Sequence, residues 1–158
     1  MLIIRPARPE EHSHLEALLR RASLATGEHV QELLDNPEAM NLPAESLADT
    51  LVAEKDGTIL GFCTVLLLSK TVAEIDAVFI DPPVWRRGLG RDLVAAATRK
   101  AAVEGVTSLG VVSGRYARPF YASLGFEQSG LETTRFGPAL RMTKALPEGA
   151  APPRSGAA

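Results

Sequence analysis

Three extended runs between residues 50 and 80 constrain the fold more than any other part of the chain. Residues 50–55 and 58–68 flank an Asp56-Gly57 pair, and such a pair favours a two-residue hairpin turn because both turn positions need positive φ. Residues 72–80 form a third run, which Asp81-Pro82-Pro83 ends because proline has no N–H for a strand ladder. The segment predicts three strands of one sheet.

Helical and extended patterns alternate on either side of these strands. Residues 2–5 read as a first strand, and residues 9–23 and 28–34 read as helices. Residues 88–104 carry apolar side chains on one helical face and end at a glycine, which is typical of a helix terminus. The remaining signals are a strand at 109–112, a helix at 116–124, a strand from 126 and a last strand at 134–144 with a break at Gly137-Pro138. Residues 36–47 have weak periodicity and two prolines, and are read as a loop with one helical turn at most.

The element order is therefore β-α-(α)-β-β-β-α-β-α-β-β, which predicts a mixed α/β sheet with helices on two faces. The 158 residues, 46% of them hydrophobic, are enough for one core. We expect one domain over residues 1–145. Residues 146–158 are rich in alanine, proline and glycine without periodicity, and are expected to form a disordered tail.

Composition excludes several classes of protein. One cysteine, Cys63, allows no internal disulfide, and the three histidines His12, His14 and His29 lack the H-x-x-x-H spacing of a zinc finger, so no metal is expected. The net charge of −2 argues against nucleic-acid binding, although residues 1–79 balance to −7 and residues 80–158 to +5. No apolar stretch is long enough to span a bilayer or to form a signal peptide. We expect a cytoplasmic protein with no membrane partner.

A strand–turn–helix junction carries the clearest chemical signal. The turn Arg86-Arg87-Gly88-Leu89-Gly90 follows the third strand and opens the long helix, with Arg91 directly after it. Free N–H groups and the positive end of the helix dipole favour a phosphate there, and glycines let a ligand approach the backbone. The spacing is neither a Walker loop nor a complete Rossmann fingerprint, because Leu93 replaces the last glycine.

Two motifs together resemble a known family. Residues 73–82 with the Arg-Arg-Gly-Leu-Gly turn, and residues 117–126 with their Phe-Tyr-Ala-Ser-Leu-Gly-Phe core, are similar to the GNAT superfamily of acyl-CoA-dependent N-acetyltransferases. The resemblance covers roughly residues 2–144. It implies a GNAT-like fold: one central, mostly antiparallel sheet of six to seven strands with helices on both faces.

The resemblance also implies a cofactor site for acetyl-CoA as co-substrate. In the family the turn reads [QR]-x-x-G-x-[GA], and its amides hold the pyrophosphate while the preceding strand pairs with the pantetheine arm. Trp85 stands here in place of the usual Gln or Arg, and Gly114 in place of a frequent asparagine. The implied cofactor-binding residues are Val78, Phe79, Ile80, Trp85, Arg86, Arg87, Gly88, Leu89, Gly90 and Arg91.

Catalytic candidates follow from the chemistry of amine acylation. Tyr121 occupies the position where family members place a general acid for the leaving thiolate, although the ring could instead pack as core with Phe120 and Phe126. The attacking amine must lose a proton, and alternation along the third strand places Glu74 and Asp76 on one face with Val78 and Ile80. Asp76 is the preferred base and Glu74 the second choice, although both could be solvated strand carboxylates.

The implied function is an N-acetyltransferase in which a primary amine attacks acetyl-CoA directly, through a tetrahedral intermediate. A small-molecule or peptide amine is the expected acceptor, and the protein is expected to be a monomer or homodimer. The alternative is a non-catalytic acyl-CoA binding or sensing domain on the same fold.

Overall fold

A computed structural model describes residues 1–148 of the chain. The strands are β1 Leu2–Pro6, β2 Thr50–Lys55, β3 Thr58–Leu67, β4 Val72–Ile80, β5 Ser108–Ser113, β6 Glu127–Thr134 and β7 Gly137–Ala145. The α-helices are α1 His12–Ala25, α2 Val30–Asp35, α3 Leu89–Val103 and α4 Arg118–Ser123. Short 3-10 helices lie at Pro9–Glu11, Pro37–Met40, Ala44–Asp49, Pro82–Val84 and Arg115–Ala117.

The strands form one sheet in the order β1-β2-β3-β4-β5-β7-β6. β4 and β5 pair in parallel, whereas β1–β2, β2–β3, β5–β7 and β6–β7 pair antiparallel. The hairpin between β2 and β3 turns at Asp56 (φ 52°) and Gly57 (φ 83°), the two positive φ values that the sequence predicts. These observations confirm a mixed α/β fold with one mostly antiparallel sheet.

The described residues divide into two compact units, with boundaries inside β3, β4 and α3. The first unit holds residues 1–65 and 76–96. Its core packs one face of α1 against β2 and β3, and Leu15, Leu18, Val52 and Phe62 in this cluster are fully buried. Removing these apolar surfaces from water provides the main stabilisation of the unit.

Residues 36–47 are more ordered than the sequence predicts. Met40, Leu42 and Leu47 are buried in the same core, and 3-10 helices form after Pro37 and after Pro43. The Leu42 N–H donates to Oε2 of Glu16 on α1 (2.9 Å), which fixes the segment to the helix. The expected loop is therefore a packed segment, held by three apolar side chains whose irregular spacing shows no helical period.

The second unit holds residues 66–75 and 97–148. Its buried side chains include Leu109 on β5, Met142 on β7, and Phe126 directly before β6. The last strand begins at Gly137 and not at residue 134 as predicted, because Thr134 ends β6 and residues 135–136 form the turn between the strands.

The expected tail falls only partly within the described residues. Leu146 is buried, and its N–H donates to the Thr107 carbonyl at 2.8 Å, so this position is held against the second unit. Residues 149–158 of the predicted tail lie outside the described residues. No helix in residues 1–148 is long and apolar enough to cross a membrane.

Candidate active site

The turn between β4 and α3 combines two left-handed residues with a helix start. Arg86 has φ 65° and Gly88 has φ 82°, and α3 begins at Leu89. Left-handed backbone is strained for arginine and free of steric cost for glycine. The chain can therefore enter α3 with the N–H groups of its first turn directed outward.

These N–H groups form the anion-binding feature that the sequence predicts. The first main-chain bond of α3 is donated by Asp92 to the Gly88 carbonyl (3.0 Å), so the N–H groups of residues 88–91 have no intrahelical acceptor. Four free donors at the positive end of a 15-residue helix favour a phosphate group.

Three arginine side chains add full charges beside the donors. Arg86, Arg87 and Arg91 are all exposed, and none forms an ion pair within residues 1–148. A Cβ placed on Gly88 would lie 3.4 Å from Nη2 of Arg91, which shows that this guanidinium folds back over the glycine. The turn can therefore accommodate a diphosphate without first breaking an internal ion pair.

Trp85 ties the turn to the end of β4. Its indole N–H donates to the Ile80 carbonyl at 2.6 Å, and the residue is 36% exposed. The tryptophan thus occupies the usual Gln/Arg position with a hydrogen bond that closes the turn on the strand.

The main chain of β4 offers further polar groups. The Asp81 N–H donates to the Leu60 carbonyl of β3 (2.8 Å), so alternation turns the peptide groups of Val78 and Ile80 toward the other edge. Pairing with β5 covers only residues 72–75, and the Ile80 carbonyl is occupied by Trp85. Val78 therefore keeps both main-chain groups for a ligand. Phe79, by contrast, packs its side chain against the α1 core.

The two candidate bases lie in different surroundings. In β4, Ala73 and Ile75 are buried whereas Glu74 is half-buried and Asp76 exposed, as strand alternation predicts. From residue 77 to residue 80 every side chain is half-buried, so burial does not alternate over these four residues. Oε1 of Glu74 accepts a hydrogen bond from Nη1 of Arg141 at 2.9 Å.

Tyr121 lies in α4 within an aromatic cluster of the second unit. It is 7% exposed, and its ring meets Phe120 and Phe126 edge to face, with centroids 5.0 and 5.6 Å apart. Its carbonyl accepts the N–H groups of Leu124 (3.0 Å) and Phe126 (3.1 Å). The packing that the sequence offered as an alternative is therefore present, and it also fixes the ring that carries the phenol.

Sequence reasoning did not single out Arg141. This β7 residue donates to Glu74 and makes a bidentate contact with Glu132 of β6, at 2.9 and 3.0 Å from Nη2. Both carboxylates raise the pKa of the Arg141 guanidinium, with its hydrogen bond to Glu74 the largest cause. An arginine between Leu140 and Met142 was the only available signal, and its partners are distant in sequence.

Cys63 is fully buried in β3, and burial raises the pKa of its thiol to about 12. At pH 8 the group is therefore almost entirely protonated, and only the thiolate is nucleophilic. We expect no reaction of the native protein with 5,5′-dithiobis(2-nitrobenzoate) at pH 8, and one thiol per chain in guanidinium chloride. Rapid native labelling would contradict the buried position.

Within residues 1–148 no cluster of three or more His, Cys, Asp or Glu could hold a metal.

Comparisons with known proteins identify the family and the fold. A sequence model described as the acetyltransferase (GNAT) family matches residues 13–126. No curated protein matches the sequence. Among solved structures, PaiA N-acetyltransferase from Thermoplasma acidophilum in complex with coenzyme A is 18% identical, with TM-score 0.76, covering 92% of this chain and 99% of that one.

Two further structures have the same fold. Ard1 from Thermoplasma volcanium is 21% identical with TM-score 0.72, covering 93% of this chain and 99% of that one. N-acetylglutamate synthase from Neisseria gonorrhoeae, complexed with coenzyme A and N-acetyl-glutamate, is 21% identical with TM-score 0.71. That alignment covers 94% of this chain but only 36% of the synthase.

The fold and the matched sequence model define an acyltransferase. The chain belongs to the acetyltransferase (GNAT) family, because the model of that family matches more than half of its residues.

Proposed function

We propose that this protein transfers the acetyl group of acetyl-CoA to a primary amine. The observation that carries the proposal is the row of four main-chain N–H groups at residues 88–91, which have no acceptor within α3 and lie beside three exposed arginines. A diphosphate matches both the donors and the charges. Coenzyme A is present in the complexes of PaiA and of N-acetylglutamate synthase, which supports the same ligand class.

The residues of the first unit would hold acetyl-CoA in two places. The amides of residues 88–91 with Arg86, Arg87 and Arg91 would bind the diphosphate, and the free main-chain groups of Val78 would pair with the pantetheine amides. Acetyl-CoA supplies a thioester whose acyl carbon an amine can attack. Trp85 holds the turn in place and leaves the arginines free.

An alkyl ammonium with a pKa near 10 must lose a proton before it can attack. Asp76 is exposed on β4 and is the proposed base, directly or through one water. Glu74, whose Oε1 accepts a hydrogen bond from the Arg141 guanidinium, is the second candidate. Tyr121 is the proposed general acid that returns a proton to the leaving thiolate.

The acceptor is proposed to be a small-molecule or peptide amine in a monomeric or homodimeric cytoplasmic enzyme. The N-acetylglutamate synthase complex contains N-acetyl-glutamate, an N-acetylated amino acid, which supports a small-molecule acceptor.

Two measurements test the proposal. Calorimetry should register coenzyme A binding, and acetyl-CoA should release free thiol with at least one amine from a panel of a monoamine, a diamine, an amino acid, an aminoglycoside and a free tripeptide. Because Cys63 is buried, a thiol reagent detects released coenzyme A with little protein background. Absence of binding at millimolar coenzyme A would refute the proposal, and binding without release for any amine would favour the acyl-CoA sensor.

Asp76→Asn is expected to lower kcat at least tenfold, because loss of a general base typically costs ~10²–10⁴-fold in rate when no solvent route replaces it. Glu127→Gln makes the same isosteric change at an exposed carboxylate of β6 and serves as the matched control. Equal rates for Asp76→Asn and the control would remove Asp76 from proton transfer.

A further inference from the structure

An ion-pair network crosses four strands of the second unit. Arg141 on β7 reaches Glu74 on β4 in one direction and Glu132 on β6 in the other, with N–O distances of 2.9 to 3.1 Å. The network lies on the sheet face opposite the buried side chains of Ala73, Leu109 and Met142. All three charged side chains are partly exposed, so a ligand in solution can reach them.

Glycines make room for the arginine. Gly110 on β5 pairs with Glu74 on one side and with Thr143 on the other, so the guanidinium must pass over it to reach β4. A Cβ on Gly110 would lie 3.5 Å from Nη1 of Arg141, which is ordinary contact, but a larger side chain would occupy the path. On β6 the residue paired with Arg141 is Gly130, which also has no side chain.

The two carboxylates are engaged differently. Glu132 accepts hydrogen bonds from Arg141 through both carboxylate oxygens. Glu74 accepts only through Oε1, and its Oε2 has no partner within residues 1–148. The Arg141 contact fixes the Glu74 side chain and leaves Oε2 available. One arginine with two carboxylates also leaves a net charge of −1, which suits a cationic ligand.

We infer that Arg141 is a positioning residue that holds Glu74 so that Oε2 receives the ammonium group of the acceptor. The inference rests on the proposed function and deepens it, because it assigns capture of the acceptor to Glu74 and proton removal to Asp76. The acceptor class is an amine that arrives as a cation.

Arg141→Met separates positioning from simple charge, because the two roles change acceptor binding in opposite directions. Without the arginine the network has a net charge of −2, so an effect of charge alone would lower the KM for the amine. Loss of positioning should instead raise that KM about tenfold, in the range expected for a charged hydrogen bond. The KM for acetyl-CoA should change less than about twofold, and Arg141→Lys should restore part of the loss.

Gly110 provides a test that keeps every charge. Gly110→Val should place a side chain in the path of the guanidinium and raise the acceptor KM as Arg141→Met does, whereas Gly110→Ala should resemble the wild type. Glu74→Gln should raise the same KM without moving the KM for acetyl-CoA. The acceptor is the panel amine with the highest rate, and thermal unfolding of each variant is measured alongside.

The outcomes distinguish this inference from the proposed function. If the wild type transfers acetyl groups and the Arg141 and Gly110→Val variants keep the wild-type acceptor KM, or lower it, the inference is wrong and the proposed function stands. A rise in both KM values together with a fall in thermal stability would assign Arg141 a structural role. That result would also overturn the inference. If the wild type releases no thiol with any amine, the proposed function itself fails.

Discussion

Tyr121→Phe should reduce kcat about 100-fold while the KM for acetyl-CoA changes little, because loss of a positioned general acid removes transition-state stabilisation and leaves cofactor binding intact. The substitution deletes only the phenolic oxygen. The ring keeps its edge-to-face contacts with Phe120 and Phe126, so the free energy of unfolding should change by no more than about 1 kcal/mol.

The chain supplies a matched control for this prediction. Tyr116 is the only other tyrosine, and it is 79% exposed in the short helix that precedes α4. Tyr116→Phe should retain wild-type kcat. Unchanged turnover in Tyr121→Phe would show that Tyr121 has only a packing role.

Local chemistry explains which parts of the fold the sequence could predict. The bounds of β4 and β2 and the Asp56-Gly57 turn follow from proline, glycine and alternation within a few residues, and the structure confirms them. α3 also lies within one residue of its prediction at each end. These signals are short in range, because each depends on residues adjacent in the chain.

Tertiary packing determines what the sequence could not predict. Residues 36–47 are ordered by contacts of Met40 and Leu42 with a core that α1 and two strands complete. The sequence offered Glu74 as the second candidate base, and its ion pair with Arg141, 67 residues further along the chain, could not be predicted from it. A contact at that separation leaves no local pattern.

The turn at residues 86–91 could be predicted as an anion site because its glycines and arginines are contiguous in the sequence. Gly88 is the position in this turn where a substitution should weaken anion binding most. This residue combines φ 82° with a position at the start of the free N–H row. A β-branched side chain there would be strained and would stand among the donors, with its Cβ only 3.4 Å from the Arg91 guanidinium. Gly88→Val should therefore raise the dissociation constant for coenzyme A at least about 100-fold, as expected when several charge-assisted hydrogen bonds are lost together.

Backbone strain alone could also weaken binding, and Gly57 separates the two causes. It has nearly the same φ, 83°, in the β2–β3 turn, and nothing lies within 4 Å of a Cβ placed on it. Gly57→Val should destabilise the fold by about 1–3 kcal/mol, as a residue held in a strained region does, and leave the affinity for coenzyme A unchanged. Trp85, the only tryptophan, lies beside the turn, so its fluorescence can report both titrations. Equal loss of affinity in the two variants would mean that the turn does not contact the diphosphate.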